Sequence, residues 1–228
     1  MAAYYHSFYV FDKTGQSRKA VIRNYKEEDF SELITIQKEC FPPPFPQELL
    51  WNREQLLNHV RLYPEGALIM EVDGEAAGSM TGLLVSHDWN NDHTWSEITD
   101  DGYIRTHDPK GNSLYIVDIS IRPSFRKYGL GKCLMQSMYQ IVTAYGLDRL
   151  MGGGRMPGYH KHADRLSPGE YLGEVCKGNL KDPVISFLLR CGRTPVKVMA
   201  NYLDDEESHH HAVLMEWKNP FKSHETPS

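Results

Sequence analysis

The run LYIVDISIRPSFRKYGLGKCLMQSMYQIVTAYG, at positions 114–146, decides the fold. Its first eight residues, 114–121, are rich in β-branched and aromatic side chains, which favours a strand. Apolar residues then recur at helical spacing from Leu130 to Tyr145, and Gly146 is placed to end that helix. The run therefore predicts a strand, a turn, and a helix that packs on the sheet.

The turn RKYGLG, at 126–131, joins that strand to that helix and has the features of a phosphate site. Its glycines let backbone N–H groups approach an anion that Cβ atoms would obstruct. The start of the helix adds unpaired N–H donors and the positive end of the helix dipole, while Arg126 and Lys127 add positive charge. The turn therefore predicts a site for a pyrophosphate.

Two other phosphate motifs do not fit this turn. A P-loop would need a glycine at Arg126 and a serine or threonine at Cys133. A dinucleotide-binding fingerprint would need a third glycine at Leu134, within a regular series of strand–helix–strand units. A glycine-rich loop with stray basic residues is the structural alternative, and the combination of strand, Pro123, Arg126 and helix weighs against it.

Proline and glycine clusters divide the rest of the chain into elements of strand or helix length. Asp73-Gly74 is a strong hairpin signal, and the prolines between positions 42 and 46 forbid helix continuation. The polar segments at 86–112 and 152–181 are too long for simple connections, and such insertions are often functional. The predicted elements are strands at 20–24, 67–72, 76–85, 147–151, 196–200 and 212–217, and helices at 26–40, 46–62 and 183–191, the last capped by Asp182.

The composition favours one folded domain, because 228 residues are enough for one sizeable core and few for two. Lys and Arg number 25 against 30 Asp and Glu, a net charge of -5, which leaves no basic footprint for nucleic acid.

No apolar stretch approaches the roughly 20 residues that cross a bilayer, and the first twenty residues do not predict a secretion signal. The four cysteines form no C-x-x-C pair. We therefore expect a cytoplasmic protein with reduced thiols and neither a nucleic-acid nor a membrane partner.

Residues 121–131, where IRP is followed by RKYGLG, resemble the acetyl-CoA signature of the GNAT superfamily of N-acetyltransferases. The resemblance extends over about residues 21–218, includes the order of elements, and is specific at 114–146. Residues 147–218, with GGGRMPGYHK at 152–161, also resemble the GNAT domain that is found fused to nitrilase-type carbon–nitrogen hydrolases.

The resemblance implies an α/β (α+β) fold, in which a mixed, mostly antiparallel central sheet of six to seven strands is flanked by about four helices. The strands at 114–121 and 147–151 would splay apart around the CoA arm. The glycines at 152–154 would allow this splaying, and a second anion nest is their alternative role. We expect the domain to occupy residues 20–218, between an N-terminal extension at 1–19 and a C-terminal tail at 219–228.

By the same resemblance, the co-substrate is acetyl-CoA. The backbone from Ile119 to Ile121 would pair with the pantetheine arm as an added strand does. A helix at 183–191 would flank the arm, since Phe187 and Gly192 match the family's F-x-x-x-x-G spacing. The residues expected to bind the cofactor are Ile119, Ser120, Ile121, Arg126, Lys127, Tyr128, Gly129, Leu130, Gly131, Lys132 and Phe187.

One position departs from the family pattern. Many members place a tyrosine directly after that phenylalanine, where it usually protonates the leaving thiolate, and this chain has Leu188. Three interpretations follow: another residue serves as the acid, water does, or the protein binds CoA without transferring an acyl group.

Asp118, on the strand at 114–121, is the first candidate catalytic residue, because acyl transfer to an amine needs a base that works near neutral pH. Strand alternation predicts that it shares a face with Leu114, Ile116 and Ser120. The alternative is a structural aspartate that is tied to backbone or to Arg122.

The segment 152–181 is expected to shape the acceptor pocket, with Tyr159 or His160 as the replacement acid or base. An ordered surface excursion is the alternative. His160 and His162 have no cysteine or carboxylate pair at a recognised ligand spacing, so no metal site is predicted.

These features favour transfer of an acetyl group from acetyl-CoA to an amine by direct attack. Cys133 and Cys191 lie on apolar helical segments, where buried inert thiols are usual, so no covalent acyl-enzyme is expected. A CoA-binding sensor or interaction module without transfer is the second hypothesis, and Leu188 motivates it. The pattern leaves open the acyl group and the acceptor, a small-molecule or peptide amine, and is compatible with a homodimer.

Overall fold

An eight-stranded sheet runs through residues 3–222, the part of the chain that this computed structural model describes. The strands are β1 (Tyr5–Phe11), β2 (Ser17–Asn24), β3 (Ala67–Val72), β4 (Glu75–Val85), β5 (Ser113–Ile121), β6 (Arg149–Arg155), β7 (Thr194–Met199) and β8 (Ala212–Lys218). Their order across the sheet is β1-β2-β3-β4-β5-β6-β8-β7. Every neighbouring pair is antiparallel except β5 and β6, which are parallel.

Helices cover both faces of this sheet. They are α1 (Phe30–Cys40), α2 (Arg53–Leu62), α3 (Trp95–Thr99), α4 (Leu130–Ala144), α5 (Pro168–Cys176) and α6 (Ile185–Arg190). Gln37 of α1 contacts Ser120, whereas Gly131 of α4 lies against the side chain of Ile121. Successive strand residues point to opposite faces, so α1 and α4 pack on opposite sides of β5. No helix within residues 3–222 is long and apolar enough to cross a membrane.

The predicted α/β (α+β) fold, with a mixed and mostly antiparallel sheet flanked by helices, is confirmed. The sheet has eight strands rather than six to seven, because residues 5–11 of the predicted N-terminal extension form β1 and pair with β2. On this edge strand Val10 is buried and Phe8 packs against the core, while Tyr5, Tyr9 and Phe11 on the other face are exposed, so apolar residues on both faces conceal the alternation. Residues 1–2 of that extension and 223–228 of the predicted tail lie outside the described residues, and the domain boundaries stay a prediction.

The helices differ from the prediction mainly in that α2 begins later than expected and that α3 and α5 were not predicted. The helix expected from position 46 begins only at Arg53, because the backbone of Leu50 is extended, with ψ 151°. Asn52 then caps α2: its side chain accepts from the N–H of Gln55 at 2.9 Å, and the Gln55 side chain accepts from the N–H of Asn52 at 2.8 Å. The polar segments at 86–112 and 152–181 contain α3 and α5, which the pattern did not predict.

β5 and β6 pair only at their beginnings and then diverge. Residues 113–115 pair with 149–151, and beyond that point β6 is paired with β8 alone. The splaying predicted for these two strands is therefore present. It leaves the backbone edge of β5 facing a gap from Ile116 onward, and a second extended chain can add to such an edge.

Candidate active site

A cavity of about 1270 Å³ opens where β5 and β6 diverge. One of its walls is continuous in sequence: the end of β5, the turn at 126–131 and the start of α4. The other walls come from separate parts of the chain, namely α1, the loop at 41–51, α3, β6, the segment at 157–162 and α6. The cavity therefore lies between elements from both faces of the sheet.

The turn at 126–131 presents its backbone to the cavity in the geometry of an anion nest. Lys127 and Gly129 both have left-handed backbones, with φ 77° and 78°, and Gly129 is the N-cap of α4. The N–H of Lys132 bonds back to the carbonyl of Gly129 at 3.0 Å, so the N–H groups before it are available at the positive end of the helix. This arrangement can hold a pyrophosphate.

Most residues predicted to bind the cofactor line the cavity, and Tyr128 does not. The Tyr128 ring turns away and packs edge-on against Phe125, with ring centroids 6.1 Å apart. Of the predicted set, its side chain is the one placed outside the cavity. The lining residues of that set are Ile119, Ser120, Ile121, Arg126, Lys127, Gly129, Leu130, Gly131, Lys132 and Phe187.

Phe187 of α6 and Gly131 of α4 meet at close range beside the turn. A Cβ atom at position 131 would lie 3.1 Å from two ring carbons of Phe187, a separation that requires the ring to move. The glycine therefore lets α6 approach the start of α4, and the aromatic ring closes the cavity there. This contact explains the second glycine of the turn in terms of packing.

Asp118 projects from β5 into the same cavity. Its Oδ2 accepts hydrogen bonds from Gln37 Nε2 at 2.8 Å and from Ser120 Oγ at 2.9 Å. Burial raises the pKa of its carboxyl to about 7, and these two hydrogen bonds oppose the rise. Near neutral pH the carboxyl is therefore divided between its acid and base forms, as a proton acceptor should be.

A β-bulge determines the direction in which Asp118 points. Thr81 of β4 pairs with Asp118, and the next residue, Gly82, pairs with Ile116, so Val117 is an extra residue on β5. Because Thr81 and Gly82 face opposite sides of the sheet, Asp118 and Ile116 do too. The bulge thereby places the carboxyl on the side of α1.

Asp118 was predicted to share a face of β5 with Leu114, Ile116 and Ser120. It does share a face with Ser120, whereas Leu114 and Ile116 lie on the opposite face. The bulge shifts the alternation by one residue, and regular spacing cannot reveal that shift. Of the structural alternative, the tie to Arg122 is not observed, since the Arg122 guanidinium pairs with carboxylates on α1 and β4. The tie to backbone is present, because the N–H of Ile119 bonds to the Asp118 carboxyl.

With this geometry in place, we compared the chain with known proteins. Residues 30–161, more than half of the chain, match the family model described as Acetyltransferase (GNAT) family. The chain belongs to the GNAT family. It is 53% identical, over 201 residues, to the uncharacterized N-acetyltransferase YkwB of Bacillus subtilis, a match that covers 88% of this chain and 89% of that protein.

A second relative and a solved structure extend the comparison. The chain is 40% identical over 210 residues to the probable hydrolase YhcX of Bacillus subtilis, which covers 91% of this chain and 40% of that protein. The GNAT-like decarboxylase GphF, solved in complex with isobutyryl-CoA, has the same fold: the TM-score is 0.75 at 21% identity, over 87% of this chain and 98% of that one. The predicted family is thus confirmed.

Leu188 occupies the position where many GNAT proteins have a tyrosine. It is buried, lines the cavity, and packs against β6, where a Cβ atom at Gly154 would lie 2.7 Å from Leu188 Cδ1. The three glycines at 152–154 thus belong to a regular strand against which side chains pack closely, and they do not form a second anion nest. The GNAT cavity therefore has no hydroxyl at position 188.

The two other candidate catalytic residues differ in placement. The Tyr159 hydroxyl donates to the carbonyl of Leu166 at 2.9 Å, and Tyr159 does not line the GNAT cavity. His160 does line it, is exposed, and has its Nδ1 2.7 Å from the carbonyl of Pro157. That carbonyl can only accept, so Nδ1 carries a proton in this contact. Within residues 3–222, no three His, Cys, Asp or Glu side chains form a metal-binding group.

The wall on the side of α1 is largely aromatic. Five aromatic residues line it, and Trp95 of α3 donates its indole N–H to the carbonyl of Val117 at 3.1 Å, next to the bulge. Gln37, which holds Asp118, follows Phe30 and Leu33 at helical spacing, and a polar residue on such an apolar stripe was the available signal. The aromatic residues are Phe41, Phe45, Trp51, Trp95 and Tyr202.

Proposed function

We propose that this GNAT domain transfers an acyl group from acyl-CoA, acetyl-CoA in the first instance, to an amine by direct attack, with Asp118 as the general base. The observation that carries the proposal is a carboxyl with a pKa of about 7 in the cavity that also contains the phosphate-binding turn. The amine nitrogen would attack the thioester carbonyl carbon and pass a proton to Asp118. The carbon–sulfur bond would then break, and the CoA thiolate would take a proton.

The placement of CoA follows from two features of the cavity. Its pyrophosphate would bind the backbone N–H groups at 127–131, and its pantetheine arm would run along the free edge of β5 from Ile121 toward Ile116. The complex of GphF with isobutyryl-CoA supports a CoA thioester as the ligand of this fold. Asp118 would then lie at the acyl end of the arm.

Direct attack is favoured over a covalent acyl-enzyme because the thiols of this chain are poor nucleophiles. Burial raises the pKa of Cys133 and of Cys191, and it raises the pKa of Cys40 to about 11. A thiol attacks as its thiolate, and these shifts reduce the thiolate fraction near neutral pH. We therefore propose a single transfer step, in which His160 replaces the missing tyrosine as proton donor to the leaving thiolate.

The acceptor would be a small-molecule or peptide amine that enters from the side of α1. Phe41, Phe45 and Trp51 give this entrance an apolar surface, which suits an amine carried on an apolar or aromatic body. The ammonium form must lose a proton before it attacks, and the carboxylate of Asp118 can accept it.

The test is release of free CoA thiol from acetyl-CoA and from longer acyl-CoA thioesters, in the presence of alkylamines, arylalkylamines and short peptides with free N-termini. We expect saturable release with at least one amine, and an unchanged enzyme mass after incubation with acyl-CoA alone. Saturable CoA binding without thiol release from any amine would favour the second hypothesis, a CoA-binding sensor, which Leu188 motivates. A stable acyl adduct on a cysteine would contradict direct attack.

A further inference from the structure

Arg193 is a buried arginine at the closed end of the cavity. It is the third residue after the end of α6 and comes directly after Gly192. It exposes 3% of its surface and contributes to the cavity wall. Its Nη2 donates to the carbonyl of Met215 and lies 3.4 Å from the carbonyl of Gly152, the first residue of β6 beyond its pairing with β5. The guanidinium therefore sits where the two strands begin to diverge.

The charge of this guanidinium has no anionic partner within residues 3–222. Besides burial, the groups that act on its pKa are phenols and a thiol, and its Nε is buried without a hydrogen-bond partner. Burial lowers the pKa of Arg193 to about 10, so the side chain still carries its charge at neutral pH. An unpaired buried charge is costly, and proteins usually neutralise it. The phenols and the thiol belong to Tyr139, Tyr115, Cys191 and Tyr202.

The other enclosed arginines of the chain are paired. Arg23 contacts two carboxylates, Arg122 contacts three, and Arg155 contacts Asp205 and Glu207. Arg193 is more buried than any of these three and has carbonyl oxygens in place of carboxylates. The unpartnered Nε fits an anion that residues 3–222 do not supply.

The position of Arg193 along β5 identifies which part of a ligand it would meet. Gly131 of the phosphate-binding turn lies beside Ile121, and Gly152, next to Arg193, lies beside Ile116. These points are opposite Gly78 and Gly82 of β4, four residues apart along that strand, or roughly 14 Å. A CoA whose pyrophosphate binds the turn would therefore direct its acyl group, and not its phosphates, toward Arg193.

We propose that the acyl donor is a CoA thioester whose acyl chain ends in a carboxylate, the monothioester of a short dicarboxylic acid, and that this carboxylate pairs with Arg193. The inference rests on the proposed function, in that the same cavity holds the acyl-CoA. Arginine suits the role because it keeps its charge when buried, and the carboxylate would meet the N–H groups of the guanidinium other than those of Nη2, which donate to backbone carbonyls. The pair would neutralise the buried charge only when such a donor is bound.

The test compares two thioesters of equal chain length, succinyl-CoA and butyryl-CoA, with acetyl-CoA as the short reference. Calorimetric titration of the wild-type protein should give a Kd for succinyl-CoA at least about tenfold below that for butyryl-CoA. Equal affinities, or tighter binding of butyryl-CoA, would overturn the proposal. This comparison needs no variant, so it remains decisive if substitutions at position 193 impair folding.

Variants at position 193 separate recognition from packing. Arg193→Met keeps a long side chain without the charge and should remove the preference for succinyl-CoA while acetyl-CoA still binds, and Arg193→Lys should retain part of the preference. An equal loss of affinity for all three thioesters would mean that Arg193 only supports the strands, and the proposal would fall. Binding is measured without an amine, so this proposal and the proposed function can fail separately. A preference for succinyl-CoA can be observed when no acceptor is turned over, and amine-dependent turnover can be observed without any preference for succinyl-CoA.

Discussion

The two sides of the cavity are built in opposite ways. The cofactor side consists mainly of consecutive residues, from the end of β5 through the turn at 126–131 into α4. One stretch of sequence therefore contains its phosphate-binding groups. The acceptor side is assembled from α1, the loop at 41–51, α3 and residues near 160, which only the tertiary fold brings together. The difference teaches that cofactor binding here depends on local backbone geometry, whereas proton transfer depends on contacts between distant segments.

The largest effect is expected from Asp118→Asn, which keeps the shape of the side chain and removes the base. We predict that kcat falls roughly 10²–10⁴-fold while the Kd for CoA stays close to the wild-type value, because the amide cannot accept the proton. Steady-state kinetics and CoA titration measure the two quantities. Asp164→Asn, an exposed aspartate outside the cavity, is the matched control and should leave both unchanged.

The wild-type pH profile belongs to the same prediction. With a carboxyl pKa of about 7, log kcat should rise with pH up to about 7 and then level off, because only the ionised form accepts a proton. Loss of both kcat and CoA affinity in Asp118→Asn would show that the two sides are not separable.

A smaller effect concerns the stability of the fold. The folded-state pKa of Asp118 is raised above its unfolded value of 3.8, so its contribution to stability is complete below pH 3.8 and is lost as pH rises toward 7. Asp118→Asn cannot ionise and escapes this loss. Its free energy of unfolding should therefore exceed that of the wild type by an amount that grows with pH, to about 2–3 kcal/mol at pH 8 after allowance for partial exposure.

Chemical denaturation at pH 4 and pH 8 checks this expectation. A constant difference between the two proteins across that range would mean that the carboxyl is ionised in the folded state at both pH values. Asp118 would then be an ordinary structural aspartate and not a base that is held near neutrality.

The smallest effect is expected on the cofactor side, from Gly131→Val. The added atoms would displace the Phe187 ring, which already lies 3.1 Å from the position of a Cβ atom. We expect the Kd for CoA to rise about tenfold, or about 1.4 kcal/mol, with kcat at saturating acyl-CoA nearly unchanged. Gly173→Val in α5 is the control, because nothing lies within 4 Å of a Cβ atom there. A fall in kcat with unchanged Kd would contradict the assignment of this glycine to cofactor binding.

The contrast between the two sides also explains how far the sequence could be interpreted. The β-strand at 114–121, the nest at 126–131, α4 and the cap of α6 by Asp182 all depend on neighbours in sequence, and the structure has them where they were predicted. The cap is formed by hydrogen bonds of 2.9 Å from the N–H groups of residues 184 and 185 to Asp182 Oδ1.

The features that were missed depend on distant contacts or on the absence of a pattern. Gln37 reaches Asp118 across 81 positions of sequence, so its place on the apolar stripe of α1 could mark the residue and could not identify its partner. Arg193 is distinguished by the partner it lacks, which neither spacing nor composition shows. β1 is an edge strand with aromatic residues on both faces, so its sequence shows no clear alternation although Val10 is buried. Tyr159 and His160 are adjacent in sequence, yet only His160 lines the cavity, because the tyrosine ring is turned into the core.

The extra residue at Val117 changes which residues of β5, odd-numbered or even-numbered, face α1. Upstream of it, odd-numbered residues face α1, and downstream of it the even-numbered ones do. A homologue that lacked only that residue would pair Thr81 and Gly82 with the same two neighbours in a regular strand, and its aspartate would still face α1. A gap of a single position at 117 is therefore compatible with the same base, whereas a relative that kept the residue but lost the bulge would turn its aspartate toward α4.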